Sequence, residues 1–217
     1  MTATGVRDLL VPQPARLEIA EGAVLLGGFA APVADELVSA IAAVAAAAPF
    51  RTMTTPGGRQ MSVAVTNCGA AGWVSDRSGY RYSATDPDTA NPWPAMPALF
   101  AELAERAAAA AGYAAFAPDA CLVNRYAPGV QLSLHQDRNE RDLTAPIVSV
   151  SLGLPAVFLF GGKRRGDPAR PYAVHHGDVV VWGGPSRLVY HGVRRLADGT
   201  HPATGRCRFN LTLRRAL

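Results

Sequence analysis

Beyond Pro118 this 217-residue chain breaks into short apolar runs, each cut off by Gly, Pro, Asn or Asp. The runs are Cys121–Tyr126, Ile147–Leu152, Val157–Phe160, Val179–Trp182, Leu188–Tyr190 and Cys207–Leu213. Segments this short are too brief for stable helices, and their punctuation predicts an antiparallel sandwich or barrel. With 49 % hydrophobic and 18 % charged residues, the chain can bury one proper core and is not expected to be disordered. No apolar run approaches the roughly 20 residues of a membrane span, so no membrane partner is expected.

Ahead of the strands the spacing predicts two packing helices. One runs from Pro32 to Ala48, with Asp35 and Glu36 in its first turn and Pro49 closing it, and the other from Pro97 to Gly112. Between them, residues 51–94 are rich in Gly, Thr, Asn and Pro and read as a long irregular segment, of the kind that usually carries function. The N-terminus, with Arg7, Asp8, Pro12, Pro14 and Arg16, does not read as a signal peptide. Cys68, Cys121 and Cys207 form no CxxC pair, which argues against a disulfide framework or thiolate zinc and fits the cytoplasm. A single-domain monomer is the simplest expectation. The net charge is +4, and 20 of the 21 basic residues are Arg, Lys163 being the exception. Arginine suits carboxylate and phosphate partners, although 40 alanines beside it point equally to a compositional bias.

In the last run, Arg208, Asn210, Thr212 and Arg214 alternate with Cys207, Phe209, Leu211 and Leu213, so the polar four share one face. Asn124 and Tyr126 share a face of their own strand by the same rule. Such faces usually meet solvent; lining a cavity, they would offer guanidiniums, an amide and a phenol to a small dicarboxylate. In His135-Gln136-Asp137 an extended backbone brings an imidazole and a carboxylate to one side. With a second histidine these residues would make the facial triad of non-haem iron(II) oxygenases. His175, His176, His191 and His201 are the candidates, and His191, closing an apolar run, has the best local setting.

The order of motifs narrows the choice. Asn-Arg-Tyr-Ala-Pro-Gly (124–129), Ser-Leu-His-Gln-Asp (133–137), Ile-Val-Ser-Val-Ser-Leu-Gly (147–153), His-Gly-Asp-Val-Val-Val-Trp-Gly-Gly (176–184), Tyr-His-Gly (190–192) and Arg-Phe-Asn-Leu-Thr-Leu-Arg (208–214) follow one another. Thr-Pro-Gly-Gly (55–58), Met-Ser-Val-Ala (61–64), Thr-Asn-Cys-Gly (66–69), Gly-Trp (72–73) and Asn-Pro-Trp-Pro-Ala-Met-Pro (91–97) precede them. Together they closely resemble the AlkB family of iron(II)- and 2-oxoglutarate-dependent nucleic-acid dealkylases, over nearly the whole chain beyond the first twenty residues.

The resemblance implies an α+β, mainly β fold: a double-stranded β-helix (jelly roll) with flanking N-terminal helices and a nucleotide-recognition lid. Residues 1–217 would form one domain, with a helical and loop-rich half (20–118, lid about 51–94) and the iron/2-oxoglutarate core (119–217). It implies that His135, Asp137 and His191 hold Fe(II) and that Asn124, Tyr126, Arg208, Asn210 and Arg214 surround 2-oxoglutarate, Arg208 pairing with the distal carboxylate. It implies O2 as co-substrate and alkylated DNA, with RNA as the alternative, as partner. Trp73 would stack on the damaged base opposite His135, Tyr80 and the Thr52–Gly58 loop (Thr55, Gly57, Gly58) would approach phosphates, and Arg165 would reach the pocket. Trp93 and Trp182 are left to packing. The implied reaction strips methyl groups from 1-methyladenine and 3-methylcytosine, releasing formaldehyde, succinate and CO2. Three positions depart from the family pattern: Asn139 in place of an aspartate, Arg59 in place of a tyrosine and Val65 in place of a methionine. An oxygenase acting on protein or small metabolites, or an inactive nucleic-acid-binding module, are the alternative readings.

Overall fold

A computed structural model describes residues 15–217; the N-terminal segment carrying Arg7 to Pro14 lies outside them. The chain opens with β1 (Leu17–Ala20) and β2 (Ala23–Leu26), then a 3-10 turn at Ala31–Val33 and α1 (Ala34–Ala47). Next come β3 (Arg51–Thr54), β4 (Gln60–Gly69), β5 (Gly72–Asp76), β6 (Gly79–Ser83) and α2 (Ala98–Ala110). The rest is β7 (Ala120–Tyr126), β8 (Leu132–His135), β9 (Ile147–Gly153), β10 (Ala156–Phe160), β11 (Arg170–Val174), β12 (Val179–Trp182), β13 (His191–Val193) and β14 (Arg208–Arg214). Neither helix is long and apolar enough to cross a membrane.

The strands form an eight-stranded sheet in the order β1-β2-β12-β9-β14-β7-β4-β3, a four-stranded sheet β11-β10-β13-β8 and a separate hairpin β5-β6. The pairings among them are antiparallel. Facing sheets of this kind bear out the jelly roll. Alternation sends the side chains of the large sheet to two cores. Leu37, Ile41 and Val44 of α1 and Phe100 and Leu103 of α2 cover one face with Val123, Val150 and Leu211. On the other face Leu25, Ile147 and Trp182 meet Phe158, Phe160 and Val193 of the small sheet.

Two expectations need correction. The 51–94 segment is not irregular: it holds β3, β4 and the β5-β6 hairpin, and β4 continues the large sheet beside β7. Its Gly residues mark tight turns between strands, which composition alone merges into one loop. Leu188–Tyr190 is not a strand either. The chain turns there, Val189 N–H bonding to Ser186 O, and β13 starts only at His191. The helices lie where expected, α1 starting after Pro32 and α2 after Pro97.

Candidate active site

β14 sits between β7 and β9, and its register places three polar rows across the inner face of the large sheet. Tyr126 pairs with Arg208, Asn124 with Asn210, and Asn210 and Thr212 with Ser151 and Ser149. The polar face of the last strand is therefore buried, not solvated. Asn210 Nδ2 donates to Ser149 Oγ (2.8 Å) and Val150 O (3.0 Å), and its Oδ1 accepts from Thr212 Oγ1 (3.0 Å) and Asn124 Nδ2 (3.3 Å). Arg208 is 2 % exposed, and its guanidinium lies 5.0 Å over the Tyr126 ring. Nη2 donates to Ser151 Oγ at 2.9 Å, while Nε and Nη1 have no hydrogen-bond partner. A buried guanidinium with two idle donors is costly unless an anion meets it, so this end of the cavity fits a carboxylate.

The small sheet faces this row. His191 of β13 pairs directly with His135 of β8, their rings 4.4 Å apart. His135 Nδ1 lies 2.9 Å from Ser133 O and His191 Nδ1 lies 3.0 Å from Val189 O. In the neutral rings each Nδ1–H donates to that carbonyl, which leaves the Nε2 lone pairs free. Both Nε2 atoms point at Asp137, at 3.7 Å from Oδ1 and 3.6 Å from Oδ2. One ligand atom from each of the three residues lies within 4.8 Å of the others. Tautomers fixed from behind, with nitrogen and carboxylate lone pairs converging in front, are the donor set an iron(II) ion needs.

The protonation states agree. Burial, then His191, holds His135 down to about 4. Burial would raise the pKa of Asp137, but the Arg214 guanidinium, then the histidines, hold it well below the ordinary carboxylate range. Arg214 Nη2 and Nε donate to Asp137 Oδ2 at 2.6 and 3.1 Å. Arg214 thus grips the triad carboxylate, whereas the idle donors of the row belong to Arg208.

These groups open into one cavity of about 590 Å³, lined also by Trp73, Tyr80, Asn139, Arg165 and Thr55. Trp73 is positioned by a residue the sequence reading missed. Asn67, fully buried in β4, donates to Trp73 O and accepts from Trp73 N–H, both at 3.0 Å. Tyr80 stacks on Trp73 (5.6 Å, 16°), and Trp73 Nε1 donates to Asn139 Oδ1 at 3.4 Å. Arg165 donates to Leu134 O (3.0 Å) and covers the Tyr190 ring at 5.1 Å. Gly57 and Gly58 lie at the exposed tip of the β3-β4 turn and do not line the cavity, because the turn carries them past Thr55 into solvent. Trp182, assigned to packing, does line it, its ring 4.8 Å from His191. Trp93 is buried away from it, its Nε1 donating to Ser83 O. Asp137 is the one carboxylate among the described lining residues, against Arg59, Arg138, Arg165, Arg208 and Arg214.

Comparison with known proteins agrees with this geometry. The model of the 2OG-Fe(II) oxygenase superfamily matches residues 22–214. The alpha-ketoglutarate-dependent dioxygenase AlkB of Salmonella typhimurium is 60 % identical over 198 residues, 91 % of this chain and 92 % of that protein. The chain belongs to the AlkB family. The AlkB of Escherichia coli is 59 % identical over 204 residues, 94 % of each protein. The solved structure of OsALKBH1 superposes with a TM-score of 0.80 at 28 % identity, covering 92 % of this chain and 99 % of that one. AlkB-family oxygenases work with iron(II), 2-oxoglutarate and O2, and the donor set and the idle Arg208 atoms fit them.

Proposed function

We propose that the chain removes methyl groups from ring nitrogens of alkylated nucleobases, 1-methyladenine and 3-methylcytosine among them. The observation that carries this reading is that one cavity joins the His135–Asp137–His191 triad, the unpaired Arg208 donors and the Trp73–Tyr80 wall. Iron(II), 2-oxoglutarate and O2 supply the oxidising power that converts an N-methyl group to hydroxymethyl, lost as formaldehyde, while 2-oxoglutarate becomes succinate and CO2.

The protein's part follows from its own residues. His135 and His191 present Nε2, and Asp137 presents a carboxylate that Arg214 keeps ionised, so these three residues would hold iron(II). Arg208 takes the distal carboxylate of 2-oxoglutarate, with Tyr126 against its guanidinium and Asn124 and Asn210 alongside. Phe158 and Trp182 crowd His191 and keep bulk water from it. A base out of its stack lies between Trp73 and His135, where an electron-rich indole face also attracts a cationic lesion. Tyr80 backs the indole and Thr55 lines the same cavity, which supports reading the 51–94 segment as the lid of a single domain, with Arg165 reaching the cavity from the β10-β11 connection. DNA and RNA are both read through such a flipped base. The protein is taken to act as a cytoplasmic monomer, its cavity being lined by residues of one chain.

The test is incubation of a 1-methyladenine oligonucleotide with Fe(II), ascorbate and 2-oxoglutarate, followed by intact mass and formaldehyde. Loss of the methyl group is expected, with at least a ~10³-fold drop in rate in His135→Ala. Succinate without demethylation would transfer the chemistry to a protein or small-metabolite substrate. Neither product, with binding indifferent to iron chelation, would leave a binding module.

A further inference from the structure

Behind the triad lies a closed circuit of polar groups, of which the proposed chemistry uses only Asp137 and Arg214. Arg187, 3 % exposed, donates through Nη1 to the main-chain carbonyl of Asp137 (2.7 Å), through Nη2 to Glu140 Oε2 (3.0 Å) and through Nε to Ala145 O (2.9 Å). The other oxygen of Glu140, Oε1, accepts from the Tyr82 hydroxyl at 2.7 Å. That hydroxyl accepts in turn from Arg214 Nη1 at 3.3 Å, and Arg214 Nη2 returns to Asp137 Oδ2 at 2.6 Å. The circuit therefore starts at the backbone of Asp137 and ends on its side chain.

Tyr82 is the one member carried by the β5-β6 hairpin. It pairs across that hairpin with Trp73, and Trp73 stacks on Tyr80. The hairpin is a separate two-stranded sheet that shares no strand ladder with the other two, and side-chain bonds from Asn67 to Trp73 and from Ser75 to Thr54 O tie it to β4 and β3. Its side-chain links to the segment carrying Asp137 are adjacent, Trp73 to Asn139 and Tyr82 to Glu140. Burial holds the Tyr82 phenol well above its ordinary pKa, so it stays an O–H donor. A buried network with every member satisfied is rigid, and loss of one link is felt by the rest.

We infer that Tyr82 is a positioning residue that couples the base-facing hairpin to the Asp137 carboxylate, so that a base seated against Trp73 tightens the metal site. The inference rests on the proposed reading of the cavity. By linkage, metal must then tighten base binding by the same factor.

The experiment needs no turnover. Mn(II) replaces iron in the full chain with 2-oxoglutarate present, and its Kd is measured with and without a short single strand carrying 1-methyladenine. In the unaltered protein the oligonucleotide is expected to tighten Mn(II) about 5- to 10-fold, and in Tyr82→Phe, which removes only the hydroxyl, less than about twofold. Glu140→Gln is the second variant and should lose coupling in the same sense. Equal coupling in Tyr82→Phe and the unaltered protein overturns the inference, as does absence of coupling in the unaltered protein. Loss confined to Glu140→Gln overturns it too, since the hydroxyl would then carry nothing. An oligonucleotide that is neither bound nor demethylated would instead overturn the base-pocket reading, a separate result.

Discussion

Asn139 shows how much one atom decides at the mouth of the cavity. Its Oδ1 faces the Trp73 indole N–H at 3.4 Å, which fixes the amide and leaves Nδ2 as the group it offers the cavity. An N–H donor meets a base carbonyl, such as O6 of 1-methylguanine or O4 of 3-methylthymine, and not the exocyclic amino group of 1-methyladenine. A carboxylate at the same place accepts only, and it attracts a cationic base into a lining where Asp137 is the sole described acid. In Asn139→Asp the ratio of demethylation rates, 1-methylguanine over 1-methyladenine, is expected to fall about tenfold, equivalent to ~1.4 kcal/mol. Paired single-turnover assays on the two lesions measure it; an unchanged ratio means the side chain at 139 does not read the base. Much of the site was legible at this scale. The alternation of Arg208, Asn210, Thr212 and Arg214 and the spacing of His135 and Asp137 are properties of an extended backbone. Glu140 and Arg187 were not legible, because their partners are distant in sequence, as with Arg187 and the Asp137 carbonyl, and Asn67 was not because it meets Trp73 across a β4-β5 turn that composition does not reveal.

Among the elements, β8 and β13 carry the histidines, and their closeness rests on a glycine. A Cβ at Gly192 would stand 2.6 Å from Leu132 O and 3.2 Å from Leu134 N, both backbone atoms of β8. Neither yields as a side-chain tip would, so any larger residue must push β8 away from β13. His135 lies at the end of β8, next to Leu134, and His191 is the residue before Gly192. Gly192→Ala is expected to cost about 1–3 kcal/mol of stability through overpacking. It should also weaken Mn(II) binding by roughly 10-fold or more through displaced ligands. Thermal melting and calorimetric titration read the two effects separately, and full metal affinity in a destabilised variant would show that the strands separate without moving the rings. The sequence placed His191 at the close of an apolar run, yet Leu188–Tyr190 is a turn and the strand begins with the histidine itself. The short run could not reveal this, because three apolar residues fit a buried turn as well as a strand.

For the molecule as a whole, the arginine excess acquires a place. Arg208 and Arg214 lie deep in the cavity, buried, while Arg59, Arg138 and Arg165 stand toward its mouth. A polyanion reaching the cavity meets the outer three first, and each phosphate neutralised there releases counterions. Arg59 is exposed, and its main-chain N–H is tied to Thr55 Oγ1 at 3.1 Å, so the β3-β4 turn presents it from a fixed backbone. Binding of a single strand carrying 1-methyladenine should therefore weaken linearly on a log–log plot against salt. Arg59→Ser should reduce the magnitude of that slope by about 0.7, the increment for one phosphate contact on a single strand. Fluorescence anisotropy across a salt series, with Mn(II) and 2-oxoglutarate bound to prevent turnover, gives the slope directly. Arg77→Ser, in the turn between β5 and β6, serves as a control for net charge, since that residue does not line the cavity. Equal slopes for Arg59→Ser and the control would assign Arg59 to solvent, and the excess arginine at the mouth to composition alone.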